Sequence, residues 1–163
     1  MIQLPTNIPV SLLKNTTKFQ VGMVVRDARR TAKEYEKFGV GPFVEEEFPG
    51  VEATVYGKPA KFLTRALTTI VGGWELELLQ VLEGETIFQD FLKKRGEGVH
   101  HLGLYVEDYD AEMAKWKGMG IRTLQESKCP PPYPEGSRYA YLDTEKLFGI
   151  ILEIAWPTTI SLR

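Results

Sequence analysis

The sequence has little of what several classes of protein require. Its single cysteine, Cys129, cannot form an internal disulfide. Its apolar runs are the length of strands, too short for a helix that crosses a bilayer. The first residues lack a charged region followed by a long apolar run and a cleavage site, the pattern of a secretory leader. We therefore expect a cytoplasmic protein that is not attached to a membrane.

An excess of charge of either sign is also lacking. Lys and Arg number 20 and Asp and Glu number 22, for a formal net charge of −2 with the signs interspersed. The chain thus offers no basic stripe for a nucleic-acid backbone and no cationic face for lipid. With 43% apolar residues in 163, it can bury one good core. These features predict a soluble globular protein that does not bind nucleic acid.

What the sequence does have is an internal repeat. Residues 19–40 and 100–121 superpose without a gap, so that Gly22 is equivalent to Gly103. A second pair of segments, 73–78 and 149–154, ends the two halves with a carboxylate at the matching place. Four residues that could bind a metal therefore occupy equivalent points of two copies of one unit: Gln20, Glu77, His101 and Glu153.

Each half has the pattern strand, helix, several strands. Asp27 stands where an N-cap belongs, before a helix over 28–38 that Gly39 ends. Asp108 stands at the equivalent place before a helix over 111–118. Runs rich in β-branched and aromatic residues predict the remaining strands over 43–48, 53–56, 61–70, 74–80, 123–126, 138–142 and 150–155.

The period of a strand decides which side chains can meet. Successive residues face opposite sides, so the polar residues of the repeat lie opposite the apolar ones that pack on the helices. Gln20, Glu77, His101 and Glu153 should then converge on the concave face of the sheet. By the same rule, His100 should point away from His101 and serve a structural role.

These features resemble those of the vicinal oxygen chelate superfamily, which includes glyoxalase I, methylmalonyl-CoA epimerase, bleomycin-resistance proteins and extradiol dioxygenases. The resemblance extends over residues 18–156. It implies an α+β fold in which paired βαβββ modules form an open eight-stranded half-barrel with helices on the outside. It rests on four segments: Phe19-Gln20-Val21-Gly22, Glu77-Leu78-Leu79, His100-His101-Leu102-Gly103 and Gly149-Ile150-Ile151-Leu152-Glu153-Ile154.

The resemblance also predicts how the chain is divided. Residues 1–17 would be an N-terminal extension, residues 18–156 a single domain, and residues 157–163 a C-terminal tail. The two modules would cover 18–82 and 99–156, with a linking helix over 84–96 between them. Members of the superfamily commonly pair as homodimers, and we expect the same here.

A divalent metal ion suits the four polar residues. One imidazole, two carboxylates and an amide form a mixed nitrogen and oxygen set, which favours Ni²⁺, Co²⁺, Zn²⁺, Mn²⁺ or Fe²⁺ without distinguishing among them. We predict Gln20, Glu77, His101 and Glu153 as the ligands. Four ligands on an octahedral ion leave two adjacent positions for two oxygens of a substrate, and chelation of both would stabilise an enolate.

The predicted function is accordingly a glyoxalase-like, divalent-metal-dependent lyase or isomerase, of the lactoylglutathione lyase or methylmalonyl-CoA epimerase type. Its small-molecule substrate would lose a proton beside a carbonyl, with Glu153 or Glu77 as the base. A ring-cleaving dioxygenase is excluded, because it needs two histidines on one iron and His100 and His101 are adjacent in one strand. The alternative is a metal-free small-molecule binding protein of the bleomycin-resistance type.

The residues indicate the superfamily more clearly than they indicate one of its branches. The epimerase branch adds a carboxylate that does not bind the metal, on a strand between the first two ligands. Segment 59–64 lacks an acid, and Glu52 is a displaced candidate. We also predict that Lys61, Thr64 and Arg65 contact the substrate, where a cation would meet a carboxylate.

Overall fold

The computed structural model describes residues 16–157. The predicted extension and tail lie outside these residues, except for positions 16, 17 and 157. The strands are β1 (Thr16–Val24), β2 (Val44–Pro49), β3 (Val51–Val55), β4 (Lys58–Pro59), β5 (Phe62–Val71), β6 (Trp74–Gly84), β7 (Gly98–Val106), β8 (Thr123–Lys128), β9 (Arg138–Leu142) and β10 (Ile151–Trp156). The helices are α1 (Ala28–Glu36), α2 (Ile87–Arg95), α3 (Tyr109–Gly118) and α4 (Glu145–Phe148).

The mixed α+β fold agrees with the prediction, but the sheet has ten strands and not eight. The first half supplies six of them, because Gly50 separates β2 from β3 and the two-residue β4 pairs with β3. A Cβ at Gly50 would lie 3.1 Å from the ring of Phe62, so glycine lets the chain bend closely over β5. The second half supplies only β7 to β10.

The two halves meet at the centre of the sheet. The strand order is β2-β5-β6-β1-β7-β10-β9-β8-β3-β4, with β1 and β7 antiparallel to one another. Each of these central strands is parallel to the last strand of its own half, β1 to β6 and β7 to β10. Since only Gly50 separates β2 from β3, near opposite ends of this order, the sheet must curl into a bowl.

Both predicted helix caps are present. The side chain of Asp27 accepts a hydrogen bond from the backbone N–H of Arg30, and that of Asp108 accepts one from Ala111, each at 2.9 Å. Because Asp108 is itself the cap, α3 begins at Tyr109, two residues earlier than predicted. Among residues 16–157 none of the helices has the length and apolar character needed to span a bilayer.

The helices of the repeat pack on the outer, convex face of the sheet. Ala28 and Ala32 of α1 are buried against Leu67 and Leu78, in one cluster of the core. Trp116 of α3 belongs to the matching cluster on the other half, with Leu104, Leu142 and Ile154. The linking helix α2 differs, since its Phe88 packs with Leu79 and Tyr141, two residues that line the inside of the bowl.

Candidate metal centre

Strand register brings the four predicted ligands together. Gly22 pairs with His101 across β1 and β7, and with Glu77 across β1 and β6. Gly103 pairs in the same way with Gln20 and with Glu153. The site is therefore built from two equivalent rows of three residues, each with a glycine at its centre: His101, Gly22, Glu77 and Gln20, Gly103, Glu153.

The glycines at the row centres leave room for the side chains of their neighbours. A Cβ at Gly22 would lie 1.9 Å from Cε1 of His101, a distance that no packed structure allows. A Cβ at Gly103 would lie 2.8 Å from Oε1 of Gln20 and 3.1 Å from Oε2 of Glu153. The side chains of His101, Gln20 and Glu153 thus lie across the backbone of the glycine beside each of them.

The donor atoms of the four side chains lie around the Nε2 atom of His101. This atom is 3.3 Å from Oε1 of Gln20, 3.4 Å from Oε2 of Glu77 and 3.3 Å from Oε2 of Glu153. His101 is fully buried, and the other three side chains are nearly so. The convergence expected from strand period and repeat is present.

The four side chains are of the types that bind a divalent ion, although their donor atoms are not arranged around a common centre. Adjacent ligands of an octahedral ion at about 2.1 Å lie about 3.0 Å apart, slightly closer than the separations measured here. Oε2 of Glu77 is buried and accepts no hydrogen bond within the described residues, which leaves it free to bind a cation. As the side chains stand, no group of three or more His, Cys, Asp or Glu among residues 16–157 is arranged to hold a metal.

The charges at the site are strongly coupled. Burial disfavours the charged form of His101, but Glu153 and Glu77 outweigh it and raise the pKa of His101 to about 9. Burial also raises the pKa of Glu77, an effect that His101 opposes. In the protein alone, the protonated imidazole of His101 therefore offsets the negative charge of the two carboxylates, a role that a bound metal cation would take over.

A network of hydrogen bonds that was not anticipated from the sequence lies behind Gln20. Glu75 is buried, and its Oε1 accepts hydrogen bonds from Nε2 of Gln20 at 2.7 Å and from the hydroxyl of Tyr105 at 3.2 Å. Its other oxygen is 2.5 Å from Nζ of Lys18. Because Glu75 binds the amide nitrogen, the amide oxygen of Gln20 faces His101.

His100 does not point away from His101, contrary to the prediction. The register between β1 and β7 shifts between Gly22 and Met23, which pair with His101 and Val99 and leave His100 in a β-bulge. A bulge interrupts the alternation of side chains along a strand. The Nδ1 atoms of the two histidines are consequently 3.1 Å apart. Burial lowers the pKa of His100 to about 2, so its ring is neutral.

A cavity of about 70 Å³ lies above these side chains. That volume accommodates the reacting atoms of a small substrate, since a single water needs roughly 10–15 Å³ by the same measure. Gln20, Glu77 and Glu153 form part of its lining, and aromatic side chains form most of the rest: Phe48, Phe88, Tyr105, Tyr133, Tyr139, Tyr141 and Trp156.

Of the three residues predicted to contact the substrate, only Thr64 lies at this cavity. Arg65, the next residue of β5, faces the other side, where it pairs with Glu45 at 2.9 Å and Glu47 at 2.8 Å. Lys61 lines a separate groove between the β3–β4 hairpin and α2. None of the described residues that line the central cavity is a lysine or an arginine.

A carboxylate that does not belong to the ligand set lies on the same face of the sheet. Glu46 of β2 pairs with Ala66, which pairs with Leu79, and cross-strand partners share a face. Its Oε2 accepts a hydrogen bond of 2.5 Å from the hydroxyl of Tyr133, which lines the cavity. Glu52, the candidate from the sequence, is instead exposed and paired with Lys128.

The alternation of side chains along β2 was the signal in the sequence that could have identified Glu46. Three consecutive acids, Glu45, Glu46 and Glu47, precede Phe48. Only Glu46 shares the strand face of the aromatic Phe48, because residues two apart point to the same side. The proline-rich loop that carries Tyr133 supplies its hydrogen-bond partner.

The fold agrees with the comparisons to known proteins. Residues 19–141 match the family model described as Glyoxalase/Bleomycin resistance protein/Dioxygenase superfamily. The chain therefore belongs to that superfamily, the vicinal oxygen chelate group of the sequence analysis. None of the curated proteins with which the sequence was compared matches it.

Among solved structures, several epimerases have a similar fold. Methylmalonyl-CoA epimerase from Mycobacterium tuberculosis is 20% identical, with a TM-score of 0.59 over 96% of this chain and 94% of that one. A variant of the Streptomyces coelicolor enzyme with 2-nitronate-propionyl-CoA is 23% identical, with a TM-score of 0.59 over 89% and 99%. A methylmalonyl-CoA epimerase with methylmalonyl-CoA and NH4+ is 24% identical, with a TM-score of 0.60 over 90% and 97%. At these identities the likeness shows a shared fold.

Proposed function

We propose that this protein is a glyoxalase-like, divalent-metal-dependent lyase or isomerase that moves a proton beside a carbonyl group of a small substrate. The observation that carries the proposal is the convergence of Gln20, Glu77, His101 and Glu153 below a small cavity. Membership of the superfamily and the epimerases among proteins of similar fold support it.

Gln20, Glu77, His101 and Glu153 would hold the metal. The ion, when bound, supplies positive charge that stabilises negative charge developing on substrate oxygens. The two buried carboxylates offset most of that charge, so the site stays tolerable within an apolar bowl. Ni²⁺, Co²⁺, Zn²⁺, Mn²⁺ and Fe²⁺ all suit this set of donors.

Glu46 is better placed than Glu77 or Glu153 to act as the base. A carboxylate that binds a metal has less electron density available for a proton, whereas Glu46 lies outside the ligand set. Its carboxylate accepts a hydrogen bond from Tyr133, which holds it beside a residue that lines the cavity. Burial and the neighbouring Glu46 raise the pKa of Tyr133, so its hydroxyl keeps its proton and donates. Glu153 and Glu77 remain the alternative bases.

The shape of the cavity limits the part of the substrate that reacts. About 70 Å³ of space with aromatic walls accepts a short acyl or 2-oxo group, while a larger carrier would stay outside. A small acyl thioester meets this description, and thioesters occupy two of the structures of similar fold. The homodimer and the cytoplasmic location expected from the sequence stay predictions.

The test of this function is exchange of hydrogen from solvent D₂O into a panel of acyl thioesters and 2-oxo compounds, followed by mass spectrometry. We expect exchange only with metal, and a loss of roughly 10²–10⁴-fold in Glu46→Gln with metal binding intact. Glu153→Gln should lose both metal binding and exchange.

Glu47→Gln is the matched control, because Glu47 is the next residue of β2 and pairs with Arg65 on the opposite face. It should exchange as the wild type does. If Glu46→Gln also exchanges at the wild-type rate, Glu46 is not the base. If the wild type binds a panel compound tightly and exchanges nothing with any metal, the alternative of a small-molecule binding protein replaces the enzyme.

A further inference from the structure

We propose that His100 is a positioning residue that accepts a hydrogen bond from Nδ1 of His101 and thereby aims Nε2 of His101 at the metal. This inference rests on the proposed function, since it takes His101 as a ligand. It adds a role that neither the sequence pattern nor the set of ligands assigns to His100.

The direction of the hydrogen bond follows from the two ends of the His101 ring. Its Nε2 atom faces Gln20, Glu77 and Glu153, so Nε2 must offer its lone pair if it binds a metal. The ring proton then lies on Nδ1, which is 3.1 Å from Nδ1 of His100. His101 is the donor and His100 the acceptor, and the proton of His100 must lie on its own Nε2.

The surroundings of His100 favour the neutral ring that this role requires. Phe88 and Phe91 pack edge to face against it, with centroid distances of 5.1 Å each. Tyr141 contacts both histidine rings, at 6.0 Å from His100 and 5.0 Å from His101. Nε2 of His100 is buried and has no hydrogen-bond partner among residues 16–157, so none of these residues donates to this atom and opposes a proton on it.

The bulge in β7 is what makes this arrangement possible. In a regular strand the side chain of His100 would face the convex side and could not reach His101. Because the register shifts after Gly22, His100 has no pairing partner in β1, and its side chain turns toward the bowl. The bulge therefore supplies the acceptor from the adjacent residue of the same strand.

A neutral imidazole is an unusual partner for a ligating histidine. Such ligands commonly donate to a carboxylate or a backbone carbonyl, which makes the imidazole a stronger donor to the metal. Here the negative charge is already supplied by Glu77 and Glu153, both within 3.4 Å of Nε2. The acceptor of Nδ1 fixes orientation and tautomer without adding a third negative charge to a buried site.

Two substitutions separate hydrogen bonding from packing. His100→Phe fills the aromatic enclosure but removes the acceptor, and His100→Asn keeps an acceptor oxygen close to the place of Nδ1. We expect zinc affinity, measured by competition with a chromophoric chelator, to fall roughly 10- to 100-fold in His100→Phe. It should return to within about threefold of wild type in His100→Asn, and the Co²⁺ absorption spectrum should change only in His100→Phe.

Phe91→Leu is the control for packing, because Phe91 contacts His100 from the side of α2. It should destabilise the fold while changing zinc affinity less than His100→Phe does. An equal loss in Phe91→Leu and His100→Phe, or wild-type affinity in His100→Phe, would overturn the proposal. So would an affinity in His100→Asn as weak as in His100→Phe.

Histidine-ring ¹⁵N spectra of the wild type without metal give a measurement that does not depend on the proposed function. They should show the proton of His100 on Nε2 and an unprotonated, hydrogen-bonded Nδ1. A proton on Nδ1 of His100 would contradict the inference directly. If the tautomer is as expected but the wild type binds no metal, the proposed function fails and the hydrogen bond between the histidines stands.

Discussion

The two halves of the candidate site share one backbone frame and hold their predicted ligands by different means. In the first half a carboxylate on the neighbouring strand, Glu75, binds the amide nitrogen of Gln20. In the second half the equivalent place beside His101 is occupied by the apolar Ile151. There the partner of the ligand is His100, in the same strand.

The difference follows from the chemistry of the two side chains. An amide has a donor and an acceptor on the same carbon, so an acid beside the nitrogen turns the oxygen toward the site. When Nε2 of an imidazole faces the site, Nδ1 points away from the site. The hydrogen-bond partner of Nδ1 must therefore lie on the side of the ring remote from the site. The repeated unit conserves the glycines and the carboxylates, and each half adapts the residue next to its own ligand.

Substitution of the two central glycines should give the largest difference between the halves. Gly22→Ala places a Cβ against the fully buried ring of His101, which His100 and Tyr141 enclose. We expect a loss at or above the upper end of the ~1–3 kcal/mol typical of overpacking. Gly103→Ala meets Oε1 of Gln20 at 2.8 Å, an atom that can move, and Cβ of Gln20 at 2.9 Å, so its overlap is milder than that at Gly22 and its loss should be smaller. Urea unfolding measures both, and equal losses would contradict this account.

Removal of the ligands themselves should separate the halves at the level of metal binding. A metal ion that binds only the folded state adds about 2.7 kcal/mol to the free energy of unfolding at a hundredfold excess over Kd. Ni²⁺ or Co²⁺ should therefore raise the melting temperature of the wild type and leave His101→Ala unchanged. Gln20→Ala should keep a smaller shift, since a neutral amide is the weakest of the four donors. Equal shifts in the wild type and His101→Ala would show that the metal binds elsewhere.

A dependence on pH should follow from the shared proton. The pKa of His101 is raised to about 9 in the folded protein, above the ordinary 6.5. The stability that this group contributes without metal is therefore complete below pH 6.5 and is lost as the pH rises through 9. Metal must displace the same proton, so its affinity should rise over that range. Titration calorimetry at pH 6.5, 7.5 and 9 checks this, and a constant affinity would contradict it.

The repeat made the frame of the site predictable from the sequence. Equivalent glycines, caps and carboxylates, together with the period of a strand, placed four side chains on one face, where the structure brings them together. Such reasoning works where strands are regular. It failed at His100, because a bulge depends on how β7 pairs with β1, and a single strand carries no record of its partner's register.

Other differences have equally local causes. The ten-stranded sheet arises from the bend at Gly50 and from the short hairpin of β3 and β4, neither of which the βαβββ pattern contains. Thr64 and Arg65 are adjacent in β5, so the prediction that both contact the substrate conflicts with the period of a strand. Glu46 is recognisable only when the faces of β2 are assigned through Phe48. At both places the period of the strand, applied to the sequence, would have given the correct face.

The smallest effect is expected at Glu75, where the first half can be made to resemble the second. Glu75→Ile copies Ile151 and removes the acceptor of both Gln20 and Tyr105, and it leaves Lys18 without its carboxylate. Glu75→Gln removes the charge but keeps an acceptor. We expect Glu75→Ile to lose about 1–3 kcal/mol of unfolding free energy, because buried donors are left unsatisfied, and Glu75→Gln to lose less.

Metal affinity should weaken in the same order, because the oxygen of Gln20 is no longer held toward His101. Chemical unfolding and chelator competition measure the two effects. If Glu75→Ile binds metal as tightly as the wild type, then the network behind Gln20 stabilises the fold without positioning the ligand, and only the second half of the site depends on a positioning residue.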